Sequence, residues 1–150
     1  MSPEEVCAIL NELLAAEEAA ITPRLFESTV FVSQLATAQV PVAQRVAWQS
    51  RRNRERLTTL ILQYGGVPHP RHPAANVAHL HFLDLHHVLP LTIEDHEMLI
   101  RKYEAASKRL ASEPPAARPL TAILNKHRED LAELTKLHEQ SGQMAAPGRA

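Results

Sequence analysis

The segment Ser50-Arg-Arg-Asn53-Arg-Glu-Arg-Leu57-Thr-Thr-Leu60-Ile61-Leu-Gln-Tyr64-Gly65-Gly66-Val67-Pro68 constrains the fold most, because it specifies both a helix and the point where that helix must stop. Val46, Ser50, Asn53, Leu57, Leu60 and Tyr64 recur at spacings of three and four, the signature of one helical face. Gly65 can take the left-handed conformation that a helix C-terminus commonly needs, and Pro68 prevents resumption. Two members of the inward stripe, Ser50 and Asn53, are polar, so this helix brings a hydroxyl and an amide to whatever it packs against.

The rest of the composition agrees with a helical domain. At 150 residues, with 45 % hydrophobic and 22 % charged residues, the chain can bury one core, and a second domain is not expected. Aromatic residues make up 4 % and only four residues are glycine, while Ala, Leu, Glu and Arg are plentiful, so the fold class read from the sequence is all-α. A formal charge of −1 with both signs interspersed gives no field to attract nucleic acid or an anionic membrane. The cluster of Arg51, Arg52, Arg54 and Arg56 is interrupted by Glu55 and reads as a solvated or salt-bridged helix face. Cys7 is the single cysteine, which excludes an internal disulfide, fits a reducing compartment and suits a buried small apolar position. The acidic Met-Ser-Pro-Glu-Glu start and the lack of a long apolar run predict no signal peptide and no membrane span, hence a cytoplasmic protein.

Four helices are expected. Ser2-Pro3-Glu4-Glu5 supplies an N-cap, a proline suited to the first turn and acids for the positive helix end. Val6, Leu10, Leu13, Glu17, Ala20 and Arg24 follow on one stripe, with Leu14, Glu18, Ile21 and Leu25 beside it, so either Glu17 or Glu18 faces inward. Pro23 is expected to bend this helix, with a continuation through Phe26 to Leu35. The second helix follows Gln39-Val-Pro41-Val and ends at Gly65; a long crossover through His69-Pro-Arg-His-Pro73 comes next. The third is placed at about Ala75 to Ala111, broken or kinked at Pro90, with Leu89, Ile93, His96, Ile100, Tyr103 and Leu110 inward. Ser112 to Pro119 is expected as a stiff turn, after which Leu120, Leu124, His127, Leu131 and Leu134 mark the fourth helix, flanked by Ile123, Asp130 and Leu137. The expected organisation is a bundle over 1–140 and a disordered tail over 141–150.

Leu10-Asn-Glu-Leu-Leu-Ala-Ala-Glu17-Glu-Ala-Ala-Ile21, the double-glycine helix end, and Glu97-Met-Leu-Ile-Arg-Lys-Tyr103 together resemble landmarks of ferritin-like proteins of the rubrerythrin or bacterioferritin type, over roughly residues 5–140. The resemblance implies a four-helix bundle with the long crossover between its second and third helices. That family holds two metals with a Glu from each of two helices and a Glu-x-x-His from each of the others. By the resemblance, Glu17 and Glu97 match the single glutamates, and Ile123-Leu-Asn-Lys-His127-Arg-Glu-Asp130 takes the place of one Glu-x-x-His, with Asp130 where histidine is expected. The other pair falls on Ser50 and Asn53, both weak ligands for a divalent first-row metal.

The expectation is therefore a diverged ferritin-like protein without a complete di-iron centre and without a cofactor, acting as a structural or interaction module and forming a homodimer through an apolar helix face. On this reading Arg52 or Arg56 supplies the positive charge that pairs the leftover core acids. The alternative is a metal-binding protein, an iron-handling protein or non-haem oxidoreductase, with Glu17, Glu97, His127 and Asp130 holding iron, manganese or zinc. A second alternative is a haemerythrin-like bundle, because Ile93-Glu-Asp95-His96 is similar to the opening of a di-iron helix in that family; it needs a following His-x-x-x-Glu, and four residues after His127 stands Leu131. His69, His72, His79, His81, His86 and His87 form a local group, read as surface histidines of the crossover and the helix start rather than a peripheral metal site.

Overall fold

The computed structural model describes residues 1–24, 39–69 and 85–144. The expected continuation through Phe26 to Leu35, most of the crossover with His72, His79 and His81, and the last six residues lie outside the described residues. Four helices form: α1 (Pro3–Ala19), α2 (Val40–Gln63), α3 (Leu85–Arg109) and α4 (Pro114–Met144), with no strand among the described residues. None of them is long and apolar enough to cross a membrane.

Helix α1 starts where its capping signal places it. Ser2 Oγ accepts from the Glu5 amide at 3.2 Å and Glu5 Oε2 accepts from the Ser2 amide at 2.7 Å, a reciprocal capping box. Its end differs from expectation. The helix does not bend at Pro23 but stops at Ala19, and a single 3-10 turn over Thr22–Arg24 follows. A proline ring collides with the carbonyl four residues earlier, which here belongs to Ala19, so the last helical residue is the one Pro23 forbids to continue.

Helix α2 closes with a complete Schellman motif. Gly65, at φ +77°, donates to Leu62 O at 3.0 Å, and Gly66 donates to Ile61 O at 2.9 Å. Gly66 is also a close-approach glycine: a Cβ there would sit 2.5 Å from Cys7 Sγ, so the buried thiol of α1 packs directly on the α2 terminus. Asn11 ties the chain beyond, donating to Val67 O at 3.1 Å and accepting from the His69 amide at 2.8 Å.

Prolines were expected to interrupt α3 and to delay α4, and they do neither. Helix α3 runs through Pro90 uninterrupted, since Val88 and Leu89 on its N-terminal side are both buried and hold that turn against the core. Helix α4 begins at Pro114 rather than near Leu120. Pro114 and Pro115 occupy its first turn, where a missing amide costs nothing, and Glu113 O accepts from the amides of Ala116 and Ala117. Only the residues between Arg109 and Pro114 connect the two helices, so α3 and α4 are antiparallel neighbours and pack on each other most extensively. Helix α4 also extends to Met144, beyond the boundary expected at residue 140, and Gln39 Nε2 donates to Ser141 Oγ.

The core is layered along the bundle axis. Leu10, Leu14, Leu57, Ile61, Leu99, Leu120 and Ile123 belong to a large apolar cluster, and Val46, Leu89 and Leu134 to a smaller one. Buried Ser50, Asn53, Thr92, His96, His127 and Asp130 fall between these two sets along α2, α3 and α4. A polar layer thus separates two apolar ones.

Candidate functional site

Each helix places its polar residues by register. Glu17 lies in the last turn of α1 and is fully buried, which decides between it and Glu18: Glu18 turns outward, where Arg54 Nη1 reaches it at 3.3 Å. On α3, His96 and Tyr103 are two helical turns apart and share one face. On α4, His127 takes the central position of the buried stripe.

These side chains meet on one carboxylate oxygen. Tyr103 O–H donates to Glu17 Oε1 at 2.8 Å, and His127 Nε2–H donates to the same oxygen at 2.7 Å. Burial first, and then the neighbouring Glu17 charge, push the Tyr103 hydroxyl well above its ordinary pKa, so it stays a phenol donor. Asn53 Nδ2 lies 3.4 Å from His127 Nε2; with the imidazole proton committed to Glu17 this pairs two donors, and the contact is packing rather than a hydrogen bond. The His96 ring packs edge-on to His127 with centroids 5.3 Å apart. His96 Nδ1 stands 2.9 Å from Thr92 O; a carbonyl only accepts, so Nδ1 carries the proton. Glu17 Oε2, Ser50 Oγ and His127 Nδ1 are buried without a protein partner, the kind of group that ordered water satisfies in folded proteins.

Of the four residues read from the sequence as metal ligands, two converge. Glu17 and His127 touch. Glu97 does not join them: it lies on the exposed face of α3, because one residue along a helix is a rotation of about 100° and the inward register belongs to His96. Asp130 is buried but engaged elsewhere, its Oδ1 accepting from Arg45 Nη1 at 2.9 Å with Lys126 Nζ at 3.8 Å. The arginine that pairs this acid is Arg45, which also bridges to Glu133, and not Arg52 or Arg56; both of these are exposed. Sequence reasoning missed Arg45, although the i, i+3 spacing of Asp130 and Glu133 on α4 was a readable signal for a cationic partner.

His96 makes the site sensitive to acid. Burial chiefly, with repulsion from His127, lowers its pKa, against the raising influence of Thr92 O, Asp130 and Glu17. A depressed folded-state pKa gives stability that is present above the unfolded value of about 6.5 and is lost as pH falls through the folded value. The free energy of unfolding of the parent should therefore fall more steeply between about pH 7 and pH 5 than that of His96→Phe, which keeps a ring and cannot titrate. Parallel slopes in chemical denaturation would remove His96 as the cause.

The chain matches no family model and no curated protein. A solved structure does match: a protein from Bacillus anthracis str. Ames described as ferritin like, diiron-carboxylate, superposes with a TM-score of 0.60 and 22 % identity over 97 % of this chain and 100 % of the other. The fold is ferritin-like. At that identity the likeness establishes architecture, and the donor set must be judged on its own chemistry.

The ferritin-like fold implies a carboxylate-bridged pair of metals, and the described residues do not fit one. Ser50 and Asn53 stand where a chelating couple is needed, Glu97 is outside, and Asp130 is committed to Arg45. Among the described residues, no group of three His, Cys, Asp or Glu side chains is arranged to hold an ion.

Proposed function

We propose that this ferritin-like chain is a diverged structural or interaction module in which a hydrogen-bonded core takes the place of a dinuclear centre. One observation carries the reading: the buried oxygen Glu17 Oε1 accepts from both Tyr103 and His127, which commits that oxygen to protein donors. A buried acid must be paired or hydrogen-bonded, and this pair of donors meets that need at one of its two oxygens without a cation. Free, buried Cys7 supports a reducing compartment such as the cytoplasm. The homodimer of this reading would cover the exposed apolar side chains Trp48 and Leu62 on α2.

The test is iron content. Protein reconstituted aerobically with Fe(II) and desalted should retain well under one iron per chain by elemental analysis. Two irons per chain, abolished by Glu17→Ala, would reverse the reading. A metal-binding alternative draws on the proximity of His96, His127 and Glu17, and a single retained equivalent of iron, manganese or zinc lost with His96→Phe would favour it.

A further inference from the structure

Away from the polar layer, a groove of about 600 Å³ opens between α2 and the start of α4. Arg52 and Arg56 line it from α2 and Arg118 from α4, over an apolar floor that includes Leu60 and Pro119. The one carboxylate on the groove, Glu55, is already bound by Arg51 Nε at 3.2 Å. Among the described residues Arg56 and Arg118 have no ion pair or hydrogen bond, and Arg52 rests on the Trp48 ring, its Cζ 4.8 Å from the centroid. Like charges four residues apart on a helix repel, so the Arg52 and Arg56 pair costs some stability, and Arg118 adds a third cation from across the groove.

We propose that this groove binds a small organic phosphate monoester. The three arginines line one groove from two helices, and with Arg52 swung off the Trp48 ring their planar forks would address several oxygens of one tetrahedral anion, a match that forks make better than point charges. A lone carboxylate offers two oxygens in one plane and uses only one such fork. The apolar floor accommodates the organic part of the ester, and the groove volume is that of ordinary small-molecule sites. The site shares no residue with the Glu17 cluster, so it stands whether or not the chain binds metal.

Trp48 is the only tryptophan and reports on Arg52 directly. Phenyl phosphate, titrated into the full chain at constant ionic strength, should give a saturable change in tryptophan fluorescence and a matching calorimetric isotherm. Inorganic phosphate should bind more weakly, because it leaves the apolar floor uncovered. Arg118→Gln should weaken phenyl phosphate about tenfold or more, the scale of one charge-assisted hydrogen bond, while Arg101→Gln on the exposed face of α3 leaves binding unchanged. Absence of saturation in both readouts up to about 10 mM, or undiminished binding to Arg118→Gln, would overturn the site. Phenyl phosphate binding no tighter than inorganic phosphate would overturn the organic ester as its ligand.

Discussion

Replacing Glu17 with alanine should destabilise the metal-free protein by about 2–5 kcal/mol, because two buried donors lose their acceptor at about 1–3 kcal/mol each. The substitution leaves Tyr103 O–H and His127 Nε2–H without an acceptor in a site that water reaches poorly. The sign matters more than the size. A vacated metal site holds a carboxylate that nothing compensates, and removing it from the apo protein is neutral or stabilising. A hydrogen-bonded core behaves in the opposite way. Urea unfolding of metal-stripped protein distinguishes the two, and a stability gain for Glu17→Ala would sink the hydrogen-bonded reading. Glu17→Gln keeps a carbonyl acceptor and should cost less, about 1–2 kcal/mol. Tyr103→Phe should be strongly non-additive with Glu17→Ala, because both remove the same hydrogen bond.

The second large effect concerns Arg45 and Asp130, and it should be asymmetric. Arg45→Ala should cost about 2–3 kcal/mol, while Asp130→Asn should cost less, although each removes the same ion pair. Asp130 is 1 % exposed and Arg45 is 36 % exposed. Losing the arginine strands a buried carboxylate. Losing the acid's charge leaves a cation that solvent and Glu133 can still satisfy. The figure lies below that for a fully buried pair because Lys126 and water can approach Asp130 once Arg45 is gone. In Arg45→Ala the second substitution Asp130→Asn should recover part of the loss, measured as a double-mutant cycle. Equal costs for the two single substitutions would mean that Asp130 is not held as a charged group by Arg45.

Some of this architecture is written in short-range pattern. The Ser2 to Glu5 capping box, the Gly65 termination and the buried stripe of α4 through Leu120, Leu124, His127 and Leu134 all follow from spacings of three and four and from glycine's backbone freedom. The prolines were less legible. Pro23 ends a helix, Pro90 and Pro119 lie inside helices, and Pro114 and Pro115 open one. The local penalty is the same in kind each time. What differs is how much buried side chain on either side holds the helix together: Val88 and Leu89 flank Pro90, and Ala116 and Leu120 flank Pro119.

The candidate site divides in the same way. The loss of a chelating pair at Ser50 and Asn53 could be seen in the sequence, as could the inward position of His127. The inward register of His96 was legible too, and the family resemblance, which misplaces Glu97, picks Glu17 where periodicity leaves Glu17 and Glu18 open; Arg45 as the partner of Asp130 was not read from the sequence.

Four helices, the start of the first, both ends of the second and the residue types each turns inward follow from groups within a turn of one another. Which of those inward groups touch depends on how the helices pack. A rotation of 100° separates His96 from Glu97, and a small axial shift of α1 against α4 would carry Glu17 out of reach of His127. Such placements are set by the packing of the whole core rather than by any one helix, which is why Tyr103, Glu17 and His127 form a single hydrogen-bonded unit while Asp130, one turn beyond His127, belongs to Arg45.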